Sequence, residues 1–412
     1  MKSTIAVLAT LDTKGPEAAY IRDRLLARDL EVLVVDCGIL ERPLDVVPDV
    51  SSDDVARHSG STIAELRESG TRGRAVASMR TMLGDFVEHL YAEGRIAGAI
   101  GLGGAEGAVM TASAMMRLPI GAPKVVISPI ASGHHEFGPL VGTRDMMVVH
   151  SVVDILGLNP IARTVFDNVA AAVAGMVEHA GAGAGSQTDE AERTVAVTML
   201  GNTTRAVMAL RDELADAGFT AMVFHSNGVG GPAMEELAAE GYFRGVIDFT
   251  TNEVTDPLVG GIHDGGPDRL RVIGRLGLPQ VVVPGCIDFA VFEPSQVPPA
   301  LADRPSYDHN PEFRLIRTSP EDMLTIAGVF ADRLGEATGP IRVAVPTGGL
   351  SIPNVPGGPF WDPDADAAFR DLLRKELRDD IPISTHDHHV NDPEFGRVVA
   401  RLFLELIQEA SA

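Results

Sequence analysis

Cysteine is almost absent from this chain, because only Cys37 and Cys286 occur among its 412 residues. Two distant cysteines exclude a disulfide framework and a Cys-rich zinc site, and they predict a protein of the reducing cytoplasm. Aromatic residues make up only 5%, so we expect cores built from Val, Leu, Ile, Ala and Met. No apolar run reaches the roughly 18 residues of a membrane-spanning helix. The first apolar stretch, 5–9, is too short for a signal peptide and predicts a strand.

Basic residues are the minority charge: 34 Lys and Arg stand against 57 Asp and Glu, for a net charge of −23. This balance excludes unspecific nucleic-acid binding, which needs Lys and Arg to displace counterions from phosphates. It does not exclude a local anion site made of backbone N–H groups. The apolar content of 45% and charged content of 22% are those of a globular protein, which excludes wholesale disorder.

Short runs of Val and Ile recur along the first half, and each ends in a polar or glycine-rich turn followed by a helical pattern. We expect strands near 4–9, 31–36, 96–101, 124–128 and 146–150. We expect helices near 16–28, 73–93, 105–117 and 160–179. Near-continuous apolar strands that alternate with helices predict a parallel sheet covered on both faces.

The segment 181–190 has no apolar periodicity and predicts a linker. It divides the chain into an N-terminal α/β domain, 1–185, and a C-terminal α/β domain, 186–412. The second half repeats the same rhythm, with strands expected near 193–199, 220–225, 245–249, 280–284, 341–346 and 380–384. The fold class is therefore α/β, with two tandem doubly wound, Rossmann-like domains. A single α/β barrel is the alternative, and the linker after five strands counts against it.

Three helix starts in the second half carry a strong local signal. Ser319, Asp362 and Asp392 each precede a proline and an acidic residue. A side-chain acceptor at the N-cap with proline in the first turn is typical of a helix N-terminus.

Ligands of open parallel sheets bind beyond the carboxyl ends of the strands, so the residues after each strand are the candidate site. Asp12, Thr13, Lys14 and Gly15 follow the first strand, where free N–H groups and the helix dipole favour an anion. Lys14 could pair with phosphate, and Asp12 could hold a sugar hydroxyl or Mg²⁺. The alternative is an ordinary turn in which Asp12 or Thr13 caps the helix.

A glycine-rich loop follows the third strand. Gly103, Gly104 and Gly107 would let a backbone approach a ligand closely, and close packing of helix against strand is the alternative. Ser132, after the fourth strand, offers a hydroxyl on the same edge.

Each of the six strands of the second half is followed by glycine or by a hydroxyl, amide or titratable side chain. This pattern predicts that the carboxyl ends of these strands form one functional edge of the sheet. These candidates are Asn202, Thr203, Thr204, His225, Ser226, Gly230, Gly231, Glu253, Cys286, Asp288, Gly348 and His389. Cys286 could be a nucleophile beside His225 or His389, or a small buried hydrophobe. His386, His388 and His389 could bind a metal, although one substrate-orienting histidine among solvated ones is the stronger alternative.

The sequences at the strand ends resemble those of a bacterial family of uncharacterised proteins. Its plant relative is the amino-terminal half of the tomato mosaic virus resistance protein, so its members are often called tomato-mosaic-resistance-like ATP-binding proteins. The matching stretches span nearly the whole chain and include 11–15, 100–104, 123–126, 131–133, 141–143, 151–154, 223–225, 230–231, 258–261, 309–311, 356–360 and 389–392.

The resemblance implies two α/β subdomains with a nucleotide in or near their cleft, and association into a homodimer. It also implies a working partner, because the plant protein continues into a barrel domain similar to phosphoenolpyruvate mutases and hydrolases. A separate barrel protein is therefore an expected partner.

Two functions are compatible with these residues, besides a scaffold role toward the barrel enzyme. The first is binding of ATP and Mg²⁺, with Asp12 or Glu253 on the metal. The nucleotide would contact Asp12, Thr13, Lys14, Gly15, Gly103, Gly104, Gly107, Ser132, Asn202, Thr203, Thr204, Ser226, Gly230, Gly231 and Gly348. The second is an enzyme for a small anionic metabolite, a hydrolase or lyase, with His225, His389 and Cys286 or Asp288 as acid–base or nucleophilic groups.

Overall fold

The computed structural model describes residues 2–40, 46–68, 70–131, 140–180 and 190–411. The chain forms two compact units, Met1–Gly185 and Ser186–Ala412, which we call unit 1 and unit 2. Each unit contains a parallel sheet covered by helices, so the predicted α/β fold class with tandem Rossmann-like domains is confirmed.

Unit 1 is built on a five-stranded parallel sheet. Its strands are β1 (Thr4–Ala9), β2 (Glu31–Asp36), β3 (Gly98–Leu102), β4 (Lys124–Ser128) and β5 (Met147–His150). Their spatial order is β2-β1-β3-β4-β5. The winding direction reverses between β1 and β3, which is where open α/β sheets form a ligand crevice.

Helices cover both faces of this sheet. They are α1 (Leu11–Leu26), α2 (Ser52–His58), α3 (Ile63–Arg67), α4 (Arg72–Ala92), α5 (Ala105–Met115) and α6 (Pro160–Ala180). Successive residues of β1 point to opposite faces: Ala6 and Leu8 pack with α2 to α5, while Ile5 and Val7 pack with α1 and α6. The predicted helix 16–28 starts earlier, at Leu11, because a short first turn joins it across a kink at Lys14.

Unit 2 is built on a six-stranded parallel sheet. Its strands are β6 (Thr194–Met199), β7 (Thr220–His225), β8 (Gly245–Asp248), β9 (Gln280–Val282), β13 (Ile341–Pro346) and β14 (Ile383–His386). Their order is β14-β13-β9-β8-β6-β7, so the winding reverses beside β6. All six strands were expected from the sequence, with ends that differ by a few residues.

Two groups of helices cover this second sheet. They are α7 (Thr204–Asp216), α8 (Gly230–Ala239), α9 (Asn252–Val259), α10 (Val272–Arg275), α11 (Pro320–Leu334), α12 (Pro363–Glu376) and α13 (Pro393–Ser411). Helices α7 and α13 share one hydrophobic cluster, and α11 and α12 share another. The predicted N-caps are confirmed, since Ser319, Asp362 and Asp392 each accept a hydrogen bond from a first-turn N–H group.

A small antiparallel sheet in unit 2 was not expected from the sequence. Its strands are β10 (Phe289–Phe292), β12 (Arg314–Arg317) and β11 (Ser306–Asp308), in that spatial order. Each strand has only three or four residues, too few for an alternating pattern to stand out. Among the described residues, no helix is long and apolar enough to cross a membrane.

Candidate functional site

Unit 1 has a cavity of about 410 Å³ beyond the carboxyl ends of β1 and β3. It therefore lies at the reversal of strand order, as expected for a ligand crevice. Residues that follow β1, β2 and β3 line it together with the start of α4. They are Thr10, Asp12, Thr13, Lys14, Cys37, Ile39, Leu40, Arg72, Val76, Gly104, Ala105, Glu106, Gly107 and Met110.

The glycines after β3 have different roles. Gly104 is the N-cap of α5 and forms no side-chain capping bond, and a Cβ atom there would meet no atom within 4 Å. A Cβ atom at Gly103 would lie 2.6 Å from the carbonyl carbon of Gly107, so Gly103 permits close packing of strand and helix. Only Gly104 and Gly107 line the cavity, and the first-turn N–H groups of α5 have no partner in their own helix.

The charges around this cavity are balanced. Lys14 donates from Nζ to the carbonyl of Ile155 at 2.5 Å. Arg72 and Glu106 form an exposed ion pair at 2.8 Å. Asp12 accepts from Leu40 N through Oδ2 at 2.9 Å, so it holds the chain after β2 and leaves Oδ1 without a partner in the described chain.

The loop after β1 is fixed by a carboxylate that sequence reasoning missed. Asp36, the last residue of β2, is buried and accepts from Leu11 N at 3.0 Å and Gly38 N at 2.9 Å. Burial raises the pKa of Asp36 above its usual value. An acidic residue at the end of an apolar strand was the available signal.

The remaining sequence-predicted residues of unit 1 are Thr13, Gly15 and Ser132, and of these Thr13 lines the cavity. Thr13 donates from Oγ1 to the carbonyl of Thr10 at 3.2 Å. Gly15 is buried within α1 and does not line the cavity. Ser132 lies outside the described residues.

Unit 2 has a cavity of its own, of about 390 Å³. It lies beyond the carboxyl ends of β6 and β7, and the small antiparallel sheet forms one of its walls. Its lining residues are Leu200, Gly201, Asn202, His225, Asn227, Ile262, His263, Val291, His309, Asn310, Phe313 and Leu315. Of the site residues predicted from the sequence, only Asn202 and His225 line this cavity. His263 and His309 were missed as candidates, although His263 stands in a glycine-rich stretch, 260–266.

The partners of Glu253 do not favour the prediction that it binds a metal. Its Oε2 accepts from Arg269 Nε at 2.8 Å, and its Oε1 accepts from Gly228 N at 2.7 Å and Gly231 N at 3.1 Å. Glu253 and Arg269 are fully buried. Both carboxylate oxygens are thus already engaged in neutralising a buried cation and holding the turn before α8.

Arg269 also pairs with two other buried acids. It donates to both oxygens of Asp248 at 2.5 and 2.7 Å, and its Nη1 lies 3.4 Å from Glu235 Oε1. Burial raises the pKa of Glu235 to about 7, more than the Arg269 charge lowers it. This cluster of one arginine and three acids is an internal support of the sheet.

Gly230 and Gly231 are glycines for packing reasons and do not line the cavity. A Cβ atom at Gly230 would lie 2.0 Å from the carbonyl oxygen of His225, and one at Gly231 would lie 1.9 Å from Glu253 Oε2. Likewise, a Cβ atom at Gly348 would lie 2.8 Å from the main chain of His388.

The three predicted hydroxyls of unit 2 are engaged within the protein. Thr203 Oγ1 lies 2.8 Å from Thr250 Oγ1, and Ser226 Oγ donates to the carbonyl of Thr250 at 2.9 Å. Thr204 donates from Oγ1 to the carbonyl of Gly201 at 3.2 Å. None of the three lines the cavity, so their contacts do not support a nucleotide there.

Cys286 is buried with a side chain that packs in a hydrophobic cluster with Leu200, Phe289 and Phe360. Burial raises the pKa of its thiol well above the usual value, which disfavours the thiolate that a nucleophile needs. The neighbouring Asp288 is also fully buried and accepts from Ser351 Oγ at 2.5 Å. Of the two sequence-based alternatives, the structure matches the small buried hydrophobe.

His389 joins two loops of unit 2. Its Nδ1 accepts from Asn391 N at 3.0 Å, so its Nε2 carries the proton and donates to the carbonyl of Ser351 at 2.8 Å. With both ring nitrogens engaged, His389 has no free nitrogen for acid–base chemistry. His388 lies 3.3 Å from Asp392 and His386 lies 2.9 Å from Ser384, and no group of three or more potential metal ligands was found in the described parts of the chain.

Comparisons with known proteins cover the whole chain. The N-terminal domain of the uncharacterised protein family UPF0261 matches residues 3–182, and its C-terminal domain matches residues 192–407. A UPF0261 protein of Clostridium tetani is 34% identical over 99% of this chain and 100% of its own length. A second, from Mesorhizobium japonicum, is 36% identical over 98% of each chain.

A plant relative and a solved structure complete the comparison. The ToMV susceptible protein tm-1 of Solanum lycopersicum is 34% identical over 97% of this chain, which spans 55% of the tomato protein. A crystal structure of a UDP-N-acetylglucosamine 2-epimerase matches 98% of this chain and 97% of its own at 10% identity, with a TM-score of 0.22. That score is too low to support an argument about function. The family models, by contrast, account for both units, and this chain belongs to the UPF0261 family.

Proposed function

We propose that this protein binds a nucleoside triphosphate, ATP with Mg²⁺, in the cavity of unit 1. The observation that carries the proposal is the uncapped N-terminus of α5 at the reversal of strand order, where Gly104 leaves room for a ligand. Helix N-termini bind phosphates through their free N–H groups and dipole. The cavity volume of about 410 Å³ also lies within the range of about 300–1,000 Å³ for ligand sites.

The residues around the cavity suit the parts of such a ligand. Lys14 and Arg72 line the cavity and would turn from the Ile155 carbonyl and Glu106 to the phosphates, and Asp12 has one carboxylate oxygen without a partner among the described residues. Magnesium is commonly held by one or two carboxylates together with phosphates and water, so Asp12 alone is sufficient on the protein side. Val76 and Met110 give the cavity an apolar wall, against which a base would pack.

Titration of ATP by calorimetry, with and without Mg²⁺, tests the proposal. Gly104→Asp adds a carboxylate at a position that lines the cavity and where an added Cβ atom meets nothing within 4 Å, and we expect it to abolish binding. Gly175→Asp is the matched control, because Gly175 is an exposed residue of helix α6 and its added Cβ atom would also meet nothing within 4 Å. Absence of heat and of thermal stabilisation in the wild type at millimolar ATP rejects the proposal, as does equal binding by both variants.

The sequence-based partners remain proposals. We propose a homodimer, tested by light scattering after gel filtration, and a separate barrel-domain partner, tested by pull-down. This chain spans 55% of the tomato relative, and a protein similar to the remaining part is the partner that we propose. A monomer would reject the first proposal, and a pull-down without any barrel protein would reject the second.

A further inference from the structure

The cavity of unit 2 differs chemically from that of unit 1, because none of its lining residues is Asp, Glu, Lys or Arg. This is unusual in a chain of net charge −23. One side is apolar, with Leu200, Val291, Phe313 and Leu315. The other side is polar and consists of three histidines and three asparagines.

Each of the three asparagines in the cavity lining uses its side-chain oxygen within the protein. In each of them, Oδ1 accepts a hydrogen bond from main-chain N–H groups of the protein. The distances are 3.0 Å at Asn202, 3.2 and 3.3 Å at Asn227, and 2.9 and 2.7 Å at Asn310. Because the amide oxygen is occupied, the NH₂ group is the part that remains for a ligand.

Asn202 carries this argument furthest. It is only 2% exposed, and its Nδ2 has no acceptor within the described residues although it belongs to the cavity wall. Because Asn202 lines the cavity, this NH₂ group is a hydrogen-bond donor that a ligand can use. A ligand atom with lone pairs would satisfy it.

His263 adds a second donor of the same kind. Burial lowers the pKa of His263 from 6.5 to about 4, so its ring is uncharged at neutral pH. Its Nδ1 lies 3.2 Å from Asn252 Nδ2, and with the amide as donor the ring proton sits on Nε2. The nearby carboxylate of Asp256 accepts from the His263 main-chain N–H at 3.0 Å and from Val291 N at 3.0 Å, and it does not line the cavity.

We infer that this cavity is a second binding site, for a small monocarboxylate with a hydrocarbon portion. The carboxylate would accept hydrogen bonds from Asn202 and His263, and the hydrocarbon portion would pack against Phe313 and Leu315. The lining contains no Lys or Arg, whose charge-assisted hydrogen bonds are the strongest contacts for a multiply charged phosphate, so these neutral donors suit a single negative charge better. The inference does not depend on the nucleotide site, because the two cavities share no residue.

The test is NMR titration of protein labelled with ¹⁵N in its asparagine side chains. The probes are butyrate, 2-oxobutyrate and benzoate, with inorganic phosphate and glucose as comparison ligands. We expect the carboxylates to shift the NH₂ signals of Asn202, Asn227 and Asn310 at millimolar concentration, and phosphate and glucose to leave them unchanged. No shift with any carboxylate, or stronger shifts with phosphate or glucose, overturns the inference.

Three asparagine variants test whether the signal shifts arise from binding in this cavity. Asn202→Asp keeps the acceptor for Ile352 N but replaces the donor by a negative charge, and we expect affinity to fall about tenfold or more, the usual effect of losing a hydrogen bond to a charged group. Asn227→Asp makes the same change at an exposed residue with little risk to folding. Asn391→Asp is the matched control, because its Oδ1 also accepts a main-chain N–H, that of Arg205 at 2.8 Å, outside the cavity. Equal affinity in all three variants contradicts the proposed contacts.

Discussion

Glu253 and Arg269 form an ion pair at 2.8 Å although neither side chain is exposed to solvent. Two charges so far from water are tolerated only when each is paired and hydrogen-bonded. The second carboxylate oxygen of Glu253 accepts from Gly228 N in the turn before α8 and from Gly231 N in the first turn of α8. The pair therefore holds the β7–α8 connection against the sheet.

The first prediction concerns the loss of this buried cation. Arg269→Met leaves Asp248, Glu235 and Glu253 buried without their partner, and we expect the free energy of unfolding of unit 2 to fall by about 3–5 kcal/mol. Urea unfolding followed by the fluorescence of Trp361, the single tryptophan of the chain, measures it.

The control for this experiment is an exposed ion pair in the same unit. Arg397 pairs with Glu394 at 3.1 Å, and both side chains are nearly half exposed. Arg397→Met should lower stability by less than about 1 kcal/mol. A similar loss in both variants would show that the buried cluster has no special role.

The second prediction compares two glycines. Gly231→Ala places a methyl group 1.9 Å from Glu253 Oε2, and we expect a loss of about 3 kcal/mol or more because the ion pair must move. Gly104→Ala meets no atom and should lower stability by only about 1 kcal/mol, the cost of a poorer N-cap residue for α5. Thermal unfolding of the two variants provides the measurement, and a stable Gly231→Ala protein would refute the packing explanation.

The third prediction is a pH dependence. Burial raises the pKa of Asp256 from 3.8 to about 7. Between these values the folded state keeps a proton that the unfolded state releases, so the contribution of Asp256 is fully present below pH about 4 and is lost as the pH rises through 7. The difference in free energy of unfolding between wild type and Asp256→Asn should therefore decrease over this range, by on the order of 2–4 kcal/mol.

Urea unfolding at several pH values checks this prediction. Asp380→Asn is the control with the opposite sign, since hydrogen bonds from exposed Arg378 lower the pKa of Asp380. The difference in free energy of unfolding between wild type and Asp380→Asn should not decrease as the pH rises. A constant difference for Asp256→Asn would mean that Asp256 titrates in the folded protein as it does in the unfolded chain.

The fourth prediction concerns His389. Its two hydrogen bonds join the loop after β14 to the loop that contains Ser351, so His389→Ala should lower stability by about 1–3 kcal/mol. His388→Ala removes one longer and partly exposed contact and should cost less than about 1 kcal/mol. If His389→Ala proves as stable as wild type, the sequence-based hypothesis of a free acid–base histidine regains its support.

The elements that were predicted well depend on local chemistry. The strand 4–9 is a continuous apolar run, and the helix starts at Ser319 and Asp362 are fixed by a side chain that bonds to an N–H three residues later. Such signals lie within a few residues of one another. They are therefore readable in the sequence without knowledge of the fold.

The candidate site was predicted only in part. Gly104, Lys14 and Asp12 were expected at one edge, and the structure brings them to one cavity because parallel strands end on the same side of a sheet. Gly230 and Gly231 looked similar in the sequence, yet they make room for the protein's own atoms. A glycine does not reveal by itself whether a ligand or a neighbouring chain segment occupies the space above it.

Local sequence features specify the α/β class, the alternation of strands and helices, and the edge on which polar residues gather, because apolar periodicity, helix capping and turn chemistry act over short distances. Which of these polar residues can reach a ligand depends on the tertiary fold. Glu253 and Arg269 are sixteen positions apart, and His263 and His309 reach one cavity through a small sheet that has no clear pattern. Burial and pairing depend on which segments meet in space, and those contacts decide whether a side chain supports the fold or faces a ligand.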